Sequence, residues 1–199
     1  MISQESEWLQ KAIQGDQDAF ANIVETYQRP VYNLCFRMLG EALEAEDAAQ
    51  ETFWRAYQNL RRYDPGRPFP TWLLSIAAHY CIDQQRKRRF NTLALDILPE
   101  EDVPDTAPSP EKVFGRLEEK GQLNKVLGKL GPQDRAAIIL RYWYDFSEEE
   151  IARNLSLTVS AVKSRLFRAR KELAKTWEVQ AVNGEAGQPE RRKHESPAL

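Results

Sequence analysis

Cysteine and histidine are scarce in this 199-residue chain, and their scarcity argues against several kinds of site. The two cysteines, Cys35 and Cys81, lie in apolar segments with no close-spaced partner, so we expect small buried thiols, with a disulfide as the alternative. His79 and Cys81 are two positions apart on a predicted helix, which is poor geometry for sharing a metal ion. We therefore expect no metal site, no other cofactor and no catalytic residues.

Long apolar runs are also missing from the sequence. No segment approaches the roughly 20 apolar residues that a membrane-spanning helix requires. The first residues, MISQESEWLQK, do not resemble a secretory signal peptide. We therefore expect no membrane insertion, and the expected location is cytoplasmic.

Charge is nearly balanced overall but strongly segregated along the chain. The 28 basic and 30 acidic residues give a net charge of −2, which by itself does not indicate a nucleic-acid-binding protein. However, four consecutive cations occupy 86–89, and the segment 163–175 contains six basic residues and one acid. Acidic residues cluster over 41–51. Segregation of this kind suggests several partners of opposite charge.

Strand signals are nearly absent, so the predicted fold class is all-α, with two small helical domains joined by a flexible acidic linker. The first domain covers residues 1–90. The segment 91–112 contains four prolines and six acids, which leave too little apolar surface to fold alone, and we interpret it as the linker. The second domain covers 113–179, and the polar residues 180–199 are a predicted disordered tail.

Capping and breaking residues divide the first domain into helices. Asp16 is placed to cap one helix, Pro30 to break or restart it, and Gly40 to end the helix that follows. Another helix is predicted between Glu41 and Leu60. The Pro- and Gly-rich loop over 61–70 comes next, and Thr71 is placed to cap a long helix that ends near Arg89.

The segment 147–173 predicts two short helices joined by a tight turn. Ser147 and Glu150 have the spacing of a capping box, in which each side chain satisfies a free N–H of the first helical turn. Leu155-Ser156-Leu157 is the predicted turn, and Thr158 is placed to cap the second helix.

The second helix of this pair has one apolar side and one cationic side. Apolar residues recur at spacings of 4, 3 and 4, which predicts a buried stripe formed by Val162, Leu166, Ala169 and Leu173. The rest of the helix suits a DNA major groove, although a solvated basic helix in an ordinary bundle is the alternative. We expect Lys163 to read bases and Arg170 and Lys171 to hold phosphates. The candidate reading residues are Ser160, Lys163, Ser164, Arg165, Phe167, Arg168, Arg170 and Lys171.

Two further patterns in the first domain suggest binding. Leu43, Asp47, Gln50 and Trp54 recur on one strip of the 41–60 helix, where carboxylates and a glutamine suit a basic partner helix, although a solvated acidic face is the alternative. Aromatics before a basic helix suit single-stranded nucleic acid, because bases stack on rings while cations follow phosphates. Each aromatic taken alone is more typical of a core. The candidate residues are Tyr63, Phe69, Trp72, Arg86, Arg88 and Arg89.

Three segments together resemble the extracytoplasmic-function group of bacterial sigma factors. They are DAAQETFWRAY, TWLLSIAAHYCIDQQRKRR and the block from LGPQDRAAIILRYWYDF to SAVKSRLFRARKEL. The resemblance covers about residues 10–90 and 113–176. It implies a protein that binds core RNA polymerase, recognises a bipartite promoter and opens it. Members of this group are often kept inactive by an anti-sigma factor, so the resemblance also implies an anti-sigma factor as a partner.

The resemblance also implies roles for particular residues. Asp47, Gln50, Glu51 and Trp54 would dock on the clamp helices of the polymerase. The aromatic and basic set of the first domain would bind the minus-ten element as a single strand, and the second domain would read the minus-thirty-five element as duplex. The linker would run through a polymerase channel, with a simple tether as the alternative.

Two other functions compete with this interpretation. A free-standing operator-binding regulator would use only the C-terminal helix pair, but no segment indicates a ligand-sensing or dimerisation domain. A nuclease would need carboxylates in a phosphate-binding context, and no Gly-rich segment supplies one.

Overall fold

The computed structural model describes the backbone of residues 2–95 and 123–185, and the side chains of 4–90 and 123–175. Every regular element in these ranges is helical, which confirms the all-α class. The N-terminal block contains α1 (Ile2–Ile13), α2 (Gln17–Leu39), α3 (Ala42–Asn59), a 3-10 turn (Leu60–Arg62) and α4 (Phe69–Leu95). The C-terminal block contains a helical segment at 123–128, then α5 (Pro132–Trp143), α6 (Glu148–Asn154) and α7 (Val159–Glu185).

The two ends of α2 are capped as predicted. Asp16 Oδ1 accepts the backbone N–H of Ala19 at 3.0 Å. Gly40 takes the left-handed conformation, with φ 87°, and its N–H donates to the carbonyl of Phe36. Glycine adopts this conformation without the Cβ clash that other residues meet, so the helix ends there.

The predicted break at Pro30 is wrong, because α2 runs unbroken for 23 residues with Pro30 inside it. Ile23 on one side of the proline and Val31 and Leu34 on the other are all 0% exposed. Proline removes one backbone donor and costs about 3 kcal/mol in a helix interior. Burial of apolar side chains on both sides of it outweighs that cost.

The start and end of α4 both differ from the prediction. The helix begins at Phe69, so Thr71 lies inside the first turn with a buried side chain and does not cap the helix. It ends at Leu95, past the predicted end at Arg89, so the first part of the predicted linker is helical. The remainder of 91–112 lies outside the described residues.

The predicted helix pair of the C-terminal block and its caps are confirmed, but the second helix is not short, because α7 runs for 27 residues. Ser147 Oγ accepts the N–H of Glu150 at 3.1 Å, and Glu150 Oε2 accepts the N–H of Ser147 at 2.8 Å. Thr158 Oγ1 accepts the N–H of Ala161 at 3.1 Å and caps α7. Ser156, in the turn, is left-handed with φ 54°, a conformation that costs a non-glycine residue about 1–2 kcal/mol.

The apolar stripe of α7 is buried against α5 and α6. Val162, Leu166 and Ala169 are at most 4% exposed, and Leu173 is partly buried. The helix extends to Glu185, which corrects the predicted start of the tail at residue 180. Residues 186–199 of that tail lie outside the described residues.

The two blocks contact each other through α5, which packs on α2 and α4. Arg135 Nε donates to the carbonyl of Arg37 at 2.7 Å, and the Tyr144 hydroxyl donates to the carbonyl of Pro30 at 2.7 Å. The Arg37 guanidinium lies 5.2 Å from the Trp143 ring centroid. Burial lowers the pKa of Arg135 to about 10. These partners are about 100 residues apart, so no local sequence pattern indicates the contact.

Candidate nucleic-acid interfaces

The predicted strip on α3 is exposed along its whole length. Leu43 is 73% exposed and Trp54 57% exposed, and Asp47 and Gln50 between them are also exposed. Beside the strip lies a groove of about 470 Å³, lined by Gln17, Phe20, Val24, Gln50, Phe53, Trp54 and Tyr57. The surface therefore combines an exposed carboxylate, that of Asp47, with an apolar groove.

Glu51 differs from the other residues predicted for polymerase binding. Its Oε1 accepts a hydrogen bond from Arg55 Nε at 2.7 Å, and its side chain is only 35% exposed. Arg55 is itself fixed, because its guanidinium lies 4.8 Å from the ring centroid of Tyr80. Glu51 is therefore already paired within the N-terminal block.

The three aromatic residues predicted for minus-ten binding form one cluster. Ring centroids of Tyr63, Phe69 and Trp72 lie 5.3 to 5.6 Å apart. Phe69 is 1% exposed and also contacts the Tyr27 ring, so it supports the cluster from beneath. Tyr63 and Trp72 are half-buried, and burial is the main cause that raises the pKa of Tyr63. The accessible edges of the cluster therefore belong to Tyr63 and Trp72.

The three cations of the same predicted set lie at the other end of α4. Arg86 is 3.9 Å from Asp83, Arg88 is paired with Glu44 of α3, and Arg89 is exposed. Arg86 comes fourteen positions after Trp72, which is about 21 Å along a helix. The structure therefore does not bring rings and cations together at one point. At 100° per residue the two positions do lie on one face of α4, so both can contact one extended strand.

The predicted reading face of α7 is exposed, with one exception. Phe167 is 64% exposed, and Ser160, Lys163, Ser164, Arg168, Arg170 and Lys171 are exposed as well. Arg165 is the exception: its side chain is 25% exposed and donates to Asp134 Oδ1 at 2.7 Å. Sequence reasoning missed Asp134, and the only local signal for it is an acid in the first turn of a helix.

The buried thiols that the sequence predicts are confirmed. Cys35 and Cys81 are both free and 0% exposed. A hydrogen bond with the Cys35 thiol and then burial raise the pKa of Cys81. In the residues that the structure describes, no group of three or more His, Cys, Asp or Glu side chains could hold a metal ion. No helix in those residues is long and apolar enough to cross a membrane.

Comparison with known families assigns both blocks. The family model for Sigma-70 region 2 matches residues 23–91, which hold the α3 strip and the aromatic cluster. The model for Sigma-70 region 4 matches residues 120–173, which include the helix pair and the reading face of α7. Each matched segment therefore lies in a different block of the structure, and the first begins within α2.

Relatives match most of the chain. The ECF RNA polymerase sigma factor SigW of Bacillus subtilis strain 168 is 38% identical over 170 residues, which are 81% of this chain and 90% of SigW. The RNA polymerase sigma-H factor of Pseudomonas aeruginosa is 30% identical over 179 residues, 86% of this chain and 93% of that protein. The structure of CnrH in complex with the cytosolic domain of CnrY superposes with a TM-score of 0.64 and 26% identity, covering 88% of this chain and 98% of CnrH. The chain therefore belongs to the ECF group of RNA polymerase sigma factors, which direct RNA polymerase to promoters.

Proposed function

We propose that three surfaces divide the work of this sigma factor. The α3 strip and its groove bind core RNA polymerase, α7 reads the minus-thirty-five element as duplex, and α4 with the aromatic cluster holds the minus-ten strand. The observation that carries the proposal is the division of α7 into a buried apolar stripe and an exposed face with four cations. A helix held in this way can enter a major groove without unfolding.

The polymerase surface uses both charge and apolar area. Asp47 and Gln50 are exposed acceptors on a helix, where charge-assisted hydrogen bonds to a basic partner helix fix its register. Trp54 stands at the edge of the apolar groove, and large exposed aromatics often supply most of the binding energy in such interfaces. Glu51 adds negative charge nearby while remaining paired with Arg55.

The minus-ten surface captures a base that has left the duplex. Removing a base from the stack costs a few kcal/mol, and a pocket that binds the base recovers that cost. Trp72 and Tyr63 are half-buried and provide the accessible part of the cluster, and Phe69 holds them from below. Cations at the far end of α4 then follow the phosphates of the same strand. The protein acts by binding alone, with no catalytic chemistry and no cofactor of its own.

The contact between the blocks must open before both promoter elements are bound. The elements lie about 25 base pairs apart, which is roughly 85 Å of duplex at 3.4 Å per pair. In the structure Tyr144 of the second block touches Pro30 of the first. The contact includes a buried cation, Arg135, whose Nη2 has no hydrogen-bond partner in the described part of the chain. An unsatisfied buried donor weakens the contact, which favours separation on binding.

An anti-sigma factor is the further partner that we propose. CnrH was solved with the cytosolic domain of CnrY. RpoE of Bartonella quintana was solved with the anti-sigma factor NepR, but at 24% identity its likeness to this chain concerns the fold alone. Since the polymerase is cytoplasmic, we propose that this chain acts in the cytoplasm.

Co-purification tests this function against the operator-binding alternative. A tagged chain should recover the subunits of core RNA polymerase, and the purified pair should support run-off transcription from promoters found by mapping genomic start sites. Recovery of DNA without polymerase subunits would favour a free-standing regulator and overturn the proposal.

A further inference from the structure

Carboxylates from two other helices lie against the cations of α7. Asp134, in the first turn of α5, has Oδ1 2.7 Å from Nη1 of Arg165 and 3.7 Å from Nη2 of Arg168. Glu148, the first residue of α6, has Oε2 3.6 Å from Nζ of Lys163. Three of the five cations among the candidate reading residues therefore have a carboxylate of the same block beside them.

The Asp134 pair is the more enclosed of these contacts. The side chains of Asp134 and Arg165 are 19% and 25% exposed, whereas Arg168 is 61% exposed and Lys163 64% exposed. Partly buried pairs are screened less by salt than exposed pairs. In addition, Arg165 Nε is buried without a hydrogen-bond partner in the described residues, so this cation depends on Asp134 for compensation. Asp134 is therefore a fixed negative charge at the edge of the reading face.

We propose that Asp134 is a positioning and specificity-determining residue for promoter reading. Its carboxylate offsets the charge of Arg165 and restrains Arg168 at the edge of the reading face. Affinity for any DNA grows with the number of phosphates that cations neutralise, whereas sequence preference depends on how side chains are placed against base edges. Asp134 thus lowers non-specific attraction and limits the directions in which Arg168 reaches. This inference rests on the proposed role of α7 in reading duplex DNA.

A matched pair of variants of the full-length protein tests the proposal. Asp134→Asn removes the charge and keeps the size and an acceptor oxygen. Glu149→Gln removes the same charge from an exposed neighbour of Glu148 that makes no ion pair in the described residues. Binding is measured by fluorescence anisotropy across a salt series on two duplexes. One duplex is selected by the wild-type holoenzyme from a randomised pool, and the other has random sequence and equal length.

Asp134→Asn should bind the random duplex about 5- to 10-fold more tightly at 0.1 M salt, with a salt slope steeper by about one unit, because one more cation reaches phosphate. The selected duplex should gain less, so the preference for it should fall several-fold. Glu149→Gln should keep the slope and the preference of the wild-type protein. Identical behaviour of the two variants, or an unchanged preference in Asp134→Asn, would overturn the proposal.

Three further variants separate positioning from simple stabilisation. Asp134→Glu keeps the charge and should restore the wild-type slope. Asp134→Asn combined with Arg168→Gln should also return the slope to the wild-type value, because Arg168 is the cation that Asp134→Asn releases. If Asp134→Asn does not fold, Asp134→Leu with Arg165→Met replaces the enclosed pair by apolar side chains and should still steepen the slope. A slope that stays at the wild-type value in that variant would overturn the proposal. Equal binding of both duplexes by the wild-type protein would instead overturn the role of α7 itself.

Discussion

Phe69 and Phe167 belong to the two candidate DNA surfaces but occupy opposite environments. Phe69 is 1% exposed and packs against Tyr63 and Trp72, whereas Phe167 is 64% exposed among cations. The minus-ten surface is thus an aromatic cluster rooted in the core. The minus-thirty-five surface is a row of mostly exposed side chains on a helix that is buried along one side. Binding of a single flipped base requires a rigid apolar site, whereas recognition of duplex DNA requires side chains that extend into the major groove.

The largest expected difference lies in the stability effects of these two phenylalanines. Phe69→Ala should lower the free energy of unfolding by about 3–5 kcal/mol, because it removes a buried ring and leaves a cavity. Phe167→Ala should change it by no more than about 0.5 kcal/mol. Urea unfolding followed by circular dichroism measures both. Similar losses of unfolding free energy in the two variants would contradict the contrast between a buried Phe69 and an exposed Phe167.

Binding to core polymerase should depend on the α3 strip and on neither DNA surface. Asp47→Lys reverses an exposed charge on the α3 strip and should weaken core polymerase binding by at least about 2 kcal/mol, roughly 30-fold, if a basic partner helix lies there. Glu46→Lys makes the same reversal one position along the helix, about 100° away from the strip, and serves as the control. The assignment fails if both variants bind core polymerase with wild-type affinity while their helical content is unchanged.

The Trp72 ring should contribute to binding of the single-stranded minus-ten element. Trp72→Ala should cost about 1–3 kcal/mol in binding to a promoter with a single-stranded minus-ten segment, because base stacking on an aromatic ring contributes that much. Tyr142→Ala removes a 54% exposed ring from α5 and should leave that binding unchanged. An equal loss of binding in both variants would indicate that Trp72 does not stack on a base of the strand.

The smallest expected effect concerns the contact between the blocks. Tyr144→Phe removes the hydroxyl that donates to Pro30 and should favour the separated arrangement by about 0.5–1.5 kcal/mol, the usual net value of one hydrogen bond. Small-angle X-ray scattering or fluorescence transfer between dyes on the two blocks should report a larger mean separation. Tyr142→Phe changes an exposed tyrosine in the last turn of α5, two positions before Tyr144, and should report no change.

Helical periodicity predicted the exposed surfaces well, because it concerns neighbours within one helix. The α3 strip with Asp47 and the buried stripe with Leu166 both follow from it, and the capping box at Ser147 is a signal of four residues. The sequence favoured a core position for each aromatic taken alone, but it could not show that Phe69 lies beneath Trp72, because no local pattern orders the rings of a cluster. Pro30 was placed at a break because local backbone rules omit packing from other helices.

Contacts between distant segments could not be predicted at all. Asp134 lies 31 residues from Arg165, and the composition of 163–175 suggested free cations where the structure shows three with a carboxylate beside them. Tyr144 and Pro30 are 114 residues apart, and each is an ordinary helix or loop residue in its own segment. Such contacts depend on how helices pack, which no local pattern in one sequence encodes.

The most direct test of the separate roles of the two DNA surfaces is promoter binding by holoenzymes that carry Lys163→Ala or Trp72→Ala. Each is measured on duplex and pre-melted promoters with single changes in the upstream element. Lys163→Ala should relax preference at one upstream position, cost about 1–3 kcal/mol there, and gain nothing from pre-melting. Trp72→Ala should keep the upstream preference and recover much of its loss on pre-melted DNA. An unchanged upstream preference in Lys163→Ala, together with equal recovery of both variants on pre-melted DNA, would contradict the account.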